Sequence, residues 1–276
     1  MRSLRRLFVR IFPKVFIKLL YFFVQGQLPN MKNPTELYEK LLWLNFNQEN
    51  PLMKICADKY AVREYVSEQG LSSNLNELLA VYDLPDEINF SSLPEKFVLK
   101  CTHGSGMNIV CSDKSNLDYD KTQKLFKKWF KVDYSDKFAE LHYRGIPKKI
   151  VCEKYLGSDI LDYKVYCFNG NPTYLMLCDR MDNNQTLWYL YDFDWNYIPF
   201  LKNHLPDPKI NKPDKLDEIY DFCSKLSHDF KFVRVDFYLI ESRIIFGELT
   251  FTPSNFIDKE SSREMNLRMG KLLKIR

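Results

Sequence analysis

Apolar and polar positions follow different rhythms in successive stretches of this 276-residue chain. From Thr35 to about Gly70, ELYEKLLWL and KYAVREYVSEQG repeat apolar residues at spacings of three and four, which predicts two helices. VYDLPDEINFSSLPEK then interrupts with prolines and turn residues and reads as a connecting loop with a short strand. After it the period drops to two. Phe97–Cys101 and Asn108–Cys111 read as strands on either side of the loop Thr102-His103-Gly104-Ser105-Gly106. Asp118 to Phe130 returns to helical spacing, and Lys149 to Glu153 to a strand.

The second half is dominated by strands. DYKVYCFNG, NPTYLMLCD and TLWYLYDF alternate, and Asn169-Gly170 marks a tight hairpin between the first two. A helix is expected at about Asp214 to His228, followed by two long strands in FVRVDFYLIESRIIFGELTF that reverse at Glu241 and Ser242. The predicted class is α+β with mixed or antiparallel sheets. The expected organisation is a helical and connecting region over 1–95, a small sheet-and-helix lobe over 96–152 and a larger lobe over 153–276.

The first 26 residues resemble a targeting segment, yet Arg6, Arg10, Lys14 and Lys18 recur every four residues and deny the segment the uninterrupted apolar length of a membrane span. A small-residue cleavage site is missing. Phe8, Phe12, Phe16, Leu20 and Phe23 leave two readings: a basic amphipathic helix on an anionic membrane surface, or an ordinary helix packed on its own protein, the simpler of the two. Pro13 kinks either version.

Composition narrows the class. A 45% hydrophobic content supports a sizeable core, and a net charge of +4 from interspersed residues argues against a dedicated nucleic-acid binder. Seven cysteines without paired spacing read as buried free thiols in a reducing compartment.

The candidate chemistry lies in three places. Lys100 ends a strand just before a glycine-bearing loop, where an ammonium and backbone N–H groups can approach polyphosphate together; a plain hairpin turn would give the same sequence. Strand alternation puts Arg234 and Asp236 on one face and Val233, Val235 and Phe237 on the other. A reversal at Glu241 and Ser242 brings Glu248 within about one residue of lying opposite Asp236, and two converging carboxylates suit Mg²⁺. Alternatively each carboxylate is merely salt-bridged, Asp236 to Arg234. Asp162-Tyr163-Lys164 and Asp179-Arg180 add groups that could serve phosphate or form ordinary ion pairs.

The order of these pieces resembles the ATP-grasp superfamily: Asp58-Lys59, Lys100 with its glycine loop, Glu153-Lys154-Tyr155-Leu156-Gly157, Asp162-x-Lys164, Asp236 and Glu248. More narrowly it resembles the TupA-like branch, named for teichuronopeptide synthesis, through ADKYAVREYV, KCTHGSGMNIVCSDKSNLD, EKYLG, DYKVYCFNG and GELTFTPSN. The resemblance spans about Asn33 to Ile257. It implies an ATP-grasp fold: two α+β lobes clasping ATP, preceded by a helical segment. It also implies that Lys59 and Lys100 hold ATP phosphates, that His103, Gly104, Ser105 and Gly106 cover them, and that Glu153, Lys154, Tyr155 and Leu156 face adenine. Asp162 joins the nucleotide site. Lys164, Arg180 and Arg234 become the catalytic cations, and Asp236 and Glu248 the Mg²⁺ ligands. Thr250 stands where the superfamily usually has asparagine, which leaves Thr250 or Asn255 to complete the metal site.

The implied activity is an ATP- and Mg²⁺-dependent carboxylate–amine ligase working through an acyl phosphate. By family setting it would join an amino acid or amine to a sugar uronate during surface-polysaccharide or capsule biosynthesis. Three alternatives remain: an ATP-grasp-type sugar kinase, a metal-dependent glycosyltransferase in which Asp192-Phe193-Asp194 binds a nucleotide sugar, and a non-catalytic membrane-associated partner protein, suggested by the basic N-terminal helix. The expected location is cytoplasmic, with peripheral contact of residues 1–24 at the inner face of the membrane left open.

Overall fold

The computed structural model describes residues 2–158, 160–180, 186–203 and 205–276, without the side chains of residues 2, 3 and 180. Helices α1 (Arg2–Ile11) and α2 (Pro13–Gln25) open the chain and part at Phe12, because Pro13 can begin a helix but cannot donate within one. Next come α3 (Leu37–Asn47), α4 (Pro51–Ala57) and α5 (Val62–Glu68), three helices where periodicity predicts two. The additional break is a matter of capping. Asn50 accepts the Leu52 amide with Pro51 opening α4, and Asp58 Oδ1 then accepts the Tyr60 amide at 2.8 Å and turns the chain into α5.

Strands β1 (Leu78–Tyr82), β2 (Phe97–Cys101) and β3 (Asn108–Cys111) precede α6 (Tyr119–Phe130), α7 (Ser135–Phe138) and β4 (Ile150–Lys154). The remainder is β5 (Asp162–Phe168), β6 (Asn171–Arg180), β7 (Thr186–Asp192), β8 (Tyr197–Ile198), α8 (Leu216–Ser227), β9 (Phe232–Ile240), β10 (Arg243–Thr250) and α9 (Arg263–Leu272).

The chain divides into two compact units. The first, residues 1–13 and 50–160, is built on an antiparallel sheet in the order β1-β4-β2-β3. Phe97, Leu99, Cys101, Ile150 and Cys152 form one buried face of it and pack with Phe126 of α6. Alternation turns Val98, Lys100, Val151 and Glu153 to the opposite face.

The second unit, residues 14–49 and 161–276, carries a six-stranded antiparallel sheet in the order β10-β9-β5-β6-β7-β8. Helix α8 covers one face, setting Ile219, Phe222 and Leu226 toward a floor of Val165, Val233, Val235 and Phe237, with Phe222 edge-on to Phe237. Helix α9 packs on α3 so closely that a Cβ at Gly270 would lie 2.0 Å from the Thr35 carbonyl oxygen. Both tight hairpins, Asn169-Gly170 and Glu241-Ser242, use two residues at positive φ, the geometry that matches strand twist. All seven cysteines are buried free thiols.

Candidate functional site

In the first unit the site side chains stand on the sheet face away from α6. Lys100 Nζ donates to Glu153 Oε2 at 2.7 Å, and Arg63 of α5 reaches the other carboxylate oxygen at 3.7 Å. Lys59 lies between α4 and α5, where its amide donates to Thr102 O and its ammonium to Gly104 O at 3.0 Å. It thereby ties this turn to the start and the middle of the glycine loop. Gly104 tolerates no side chain, since a Cβ would sit 2.4 Å from Met107 and 2.5 Å from the Tyr134 ring. Ser105 and Gly106 are exposed at the tip, and Gly106 has a φ of +70°.

His103 is turned the other way. Its ring is buried against α6, with Nε2 3.3 Å from Trp129 O and the Phe130 ring edge-on, and burial holds its pKa below the usual histidine range. The structure thus groups Lys59 with Gly104 and Lys100 with Glu153, and places the His103 side chain in the core. Lys154 ends β4 with its amide donating to Glu77 O and its carbonyl accepting from Asn76, which leaves Tyr155 and Leu156 as the partly exposed backbone beyond the strand.

In the second unit the face opposite α8 is polar where β5, β9 and β10 run together. Lys164 pairs across the ladder with Asp236, Tyr166 with Arg234, Glu248 with Asp236 and Thr250 with Arg234. Lys164 Nζ donates to Asp236 Oδ2 at 2.8 Å and lies 3.9 Å from Asp162. Arg234 grips Asp236 with two bonds of 2.7 Å, from Nε to Oδ1 and from one terminal nitrogen to Oδ2. Thr250 Oγ1 accepts from Arg234 and donates to Glu248 Oε1, both at 3.2 Å.

Burial alone would depress the Lys164 ammonium, but the Asp236 carboxylate, with Asp162 behind it, outweighs that and raises its pKa. Arg234 follows the same balance and stays charged. Burial pushes the Tyr166 phenol up to about 12, so it is a neutral hydrogen-bonding group beside Arg234. Arg180 closes β6 opposite Thr186, and its side chain lies outside the described residues.

Asp236, Glu248 and Thr250 offer only oxygen donors, the set Mg²⁺ prefers. Asp236 Oδ1 takes one described hydrogen bond, which leaves an acceptor direction for a cation. Among the described residues no three His, Cys, Asp or Glu side chains gather into a metal site, so a cation held by this carboxylate pair needs ligands from outside them. Phosphate oxygens and water are the usual ones for Mg²⁺. Asn255 lies beyond β10 in a turn at a φ of +52°.

Asp192 is engaged differently. Its Oδ1 accepts the Asp194 and Asn196 amides and its Oδ2 the Asn196 side chain, so the Asp-x-Asp triplet builds the turn from β7 to β8. Sequence reasoning missed Arg63 and Tyr166 as members of the two groups. Alternation along β5 carries the signal for Tyr166, two residues after Lys164, whereas nothing local marks Arg63. Among the described residues no helix is long and apolar enough to cross a membrane.

A sequence model of the family described as TupA-like ATPgrasp matches residues 39–274. No curated protein matches the chain. Among solved structures, D-alanine–D-alanine ligase from Helicobacter pylori is similar over 80% of this chain and 62% of its own, at 14% identity and a TM-score of 0.46. The Bacillus anthracis D-alanine–D-alanine ligase complexed with ATP matches over 79% and 61%, at 14% identity and 0.49. Phosphoribosylamine–glycine ligase from Thermotoga maritima matches over 77% and 54%, at 11% and 0.44. The chain spans about three-fifths of the length of the first two.

Proposed function

The chain belongs to the TupA-like ATP-grasp family, and from that premise we propose that it is an ATP- and Mg²⁺-dependent carboxylate–amine ligase, joining an amino acid or amine to a sugar uronate. The observation that carries the proposal is the polar face of the six-stranded sheet, where Lys164 and Arg234 stand against the facing carboxylates of Asp236 and Glu248.

In this reading Asp236 and Glu248, aided by Thr250, hold Mg²⁺, whose part is to offset the negative charge of the nucleotide phosphates. Lys59, Lys100 and the backbone of Gly104–Gly106 hold phosphate in the first unit, and Tyr155 and Leu156 offer backbone to adenine. The substrate carboxylate attacks the γ-phosphorus, the bond to ADP breaks, and an acyl phosphate forms. The amine nitrogen then attacks the acyl carbon and phosphate leaves with its electron pair. Lys164 and Arg234 are charged throughout and spread the charge that gathers on the transferring group. Asp236 holds both of them before nucleotide arrives, so neither cation is buried without a counter-charge. Excluding water protects the acyl phosphate from hydrolysis, and Ser105 and Gly106, exposed at the loop tip, are suited to that closure.

The test is product analysis with ATP, Mg²⁺, a panel of uronates and a panel of amino acids. Phosphate release that requires both a uronate and an amine supports the ligase. ADP formation with phosphate retained on a sugar, without any amine, would replace it with the kinase reading.

A further inference from the structure

The first 28 residues concentrate two features that the ATP site does not use. Ten of the sixteen large hydrophobic side chains exposed among the described residues fall between Leu4 and Leu28. The first 28 residues hold six lysines and arginines, and no acidic residue occurs before Glu36.

Helix α1 has its apolar side outward. Leu4, Leu7, Phe8, Ile11 and Phe12 share one side and are all exposed, Leu4 by 76%. The opposite side is the one that packs: Val9 is 1% exposed, and Arg5 on its edge donates to Lys137 O and lies over the Phe138 ring. Arg10 borders the apolar row while Arg6 stands on the other side of the helix, both near the Asp136 carboxylate, and α1 carries no acidic residue of its own. Helix α2 repeats the pattern separately. It buries Ile17 and Tyr21 and exposes Val15, Leu19, Phe22 and Phe23 on its other side, with Lys14 and Lys18 beside them.

A helix that only packs on its own protein buries its apolar stripe, as α8 does; these two leave theirs in water. Exposed apolar rows bordered by lysine and arginine, with no acid in the segment, match a surface that is hydrocarbon just beneath a layer of negative charge. We propose that α1 and α2 are each, taken separately, an in-plane helix that binds an anionic lipid bilayer, with its apolar row among the acyl chains and its basic side chains at the headgroups. The helices are 10 and 13 residues long, short for spanning and adequate for lying in the interface.

The test is flotation of the full chain with vesicles of phosphatidylcholine alone and of an equal mixture with phosphatidylglycerol. Recovery with the mixed vesicles should exceed that with neutral ones on the order of tenfold and fall at about 0.5 M salt, where screening shortens to a few ångströms. Leu7→Glu with Phe23→Glu should lower recovery on the order of tenfold or more with the thermal midpoint unchanged, since both side chains are exposed. Equal recovery with both vesicle types, or a double variant that floats like the wild type, would overturn the proposal. Absence of flotation together with concentration-dependent self-association lost in the double variant would overturn it too, in favour of a second copy of the chain on this surface.

Discussion

Glu248 faces Asp236 directly across the last hairpin because Gly247 is an extra residue in β10. Phe246 pairs with Phe237 and Glu248 with the next residue, Asp236, so one position is skipped. The consequence is larger than a shift of register. In a regular strand Glu248 would share a face with Phe246, on the side of the sheet that α8 covers; the bulge turns it to the polar face beside Arg234 and Lys164. Gly247 is close-fitted as well, since a Cβ there would lie 2.8 Å from the Asp236 carbonyl oxygen.

Gly247→Ala is therefore expected to cost about 1–3 kcal/mol of stability and to weaken Mg²⁺-dependent ATP binding at temperatures where the variant is still folded. Urea melts with binding measured below the transition separate the two effects. A variant that loses stability but binds like the wild type would show that the facing carboxylates do not need this register.

Lys100 and Glu153 form the corresponding pair in the first unit. Lys100→Met removes the ammonium at 2.7 Å and leaves a buried carboxylate with Arg63 at 3.7 Å. The expected outcome is a fall in ATP turnover on the order of a hundredfold and a stability loss of about 1–3 kcal/mol. Adding Glu153→Gln should restore stability and leave turnover low. Recovery of both together would assign Lys100 a structural role alone.

Strands β2 to β7 and the β9–β10 pair were legible from alternation, whereas β8 was not, and the Asn169-Gly170 and Glu241-Ser242 reversals followed from turn chemistry and spacing. The isolation of Arg234 and Asp236 among Val233, Val235 and Phe237 followed from the same period of two. What remained hidden depended on contacts that no local pattern carries. An extra residue in β10 cannot be read from GELTF; the simple hairpin count places Gly247 opposite Asp236. The break between α4 and α5 rests on the Asp58 side chain capping its own turn. Arg63 joins Glu153 only once α5 has docked near β4. Helix α1 packs on its own protein through Val9 and Arg5, and that its apolar row nevertheless faces outward is a direction the residue pattern alone does not carry.

His142 sets an acid limit on stability. Burial of its ring lowers its pKa from 6.5 to about 3. Below 6.5 the unfolded chain therefore takes up a proton that the folded chain refuses until about 3. The stability this provides is complete above the unfolded value and is lost progressively as pH falls below it. Burial of His103 acts in the same direction. Chemical denaturation at pH 7 and about 4.5 should show a smaller acid loss for His142→Gln than for the wild type. An equal loss in both would remove His142 from the acid response.

The central claim is that the carboxylate pair on β9 and β10 serves a magnesium–nucleotide complex. Its most direct test is thermal stabilisation by ATP with and without Mg²⁺, in the wild type, Asp236→Asn and Glu248→Gln. Glu248→Gln keeps the Asp236 contacts to Arg234 and Lys164, so it reports on the pair even if Asp236→Asn folds poorly. The account predicts that saturating ATP with Mg²⁺ raises the wild-type midpoint on the order of 5 °C, and that Glu248→Gln abolishes most of this rise while keeping its own unliganded midpoint near that of the wild type. A rise of equal size in Glu248→Gln, or stabilisation by UDP-sugars with none by ATP, would contradict it.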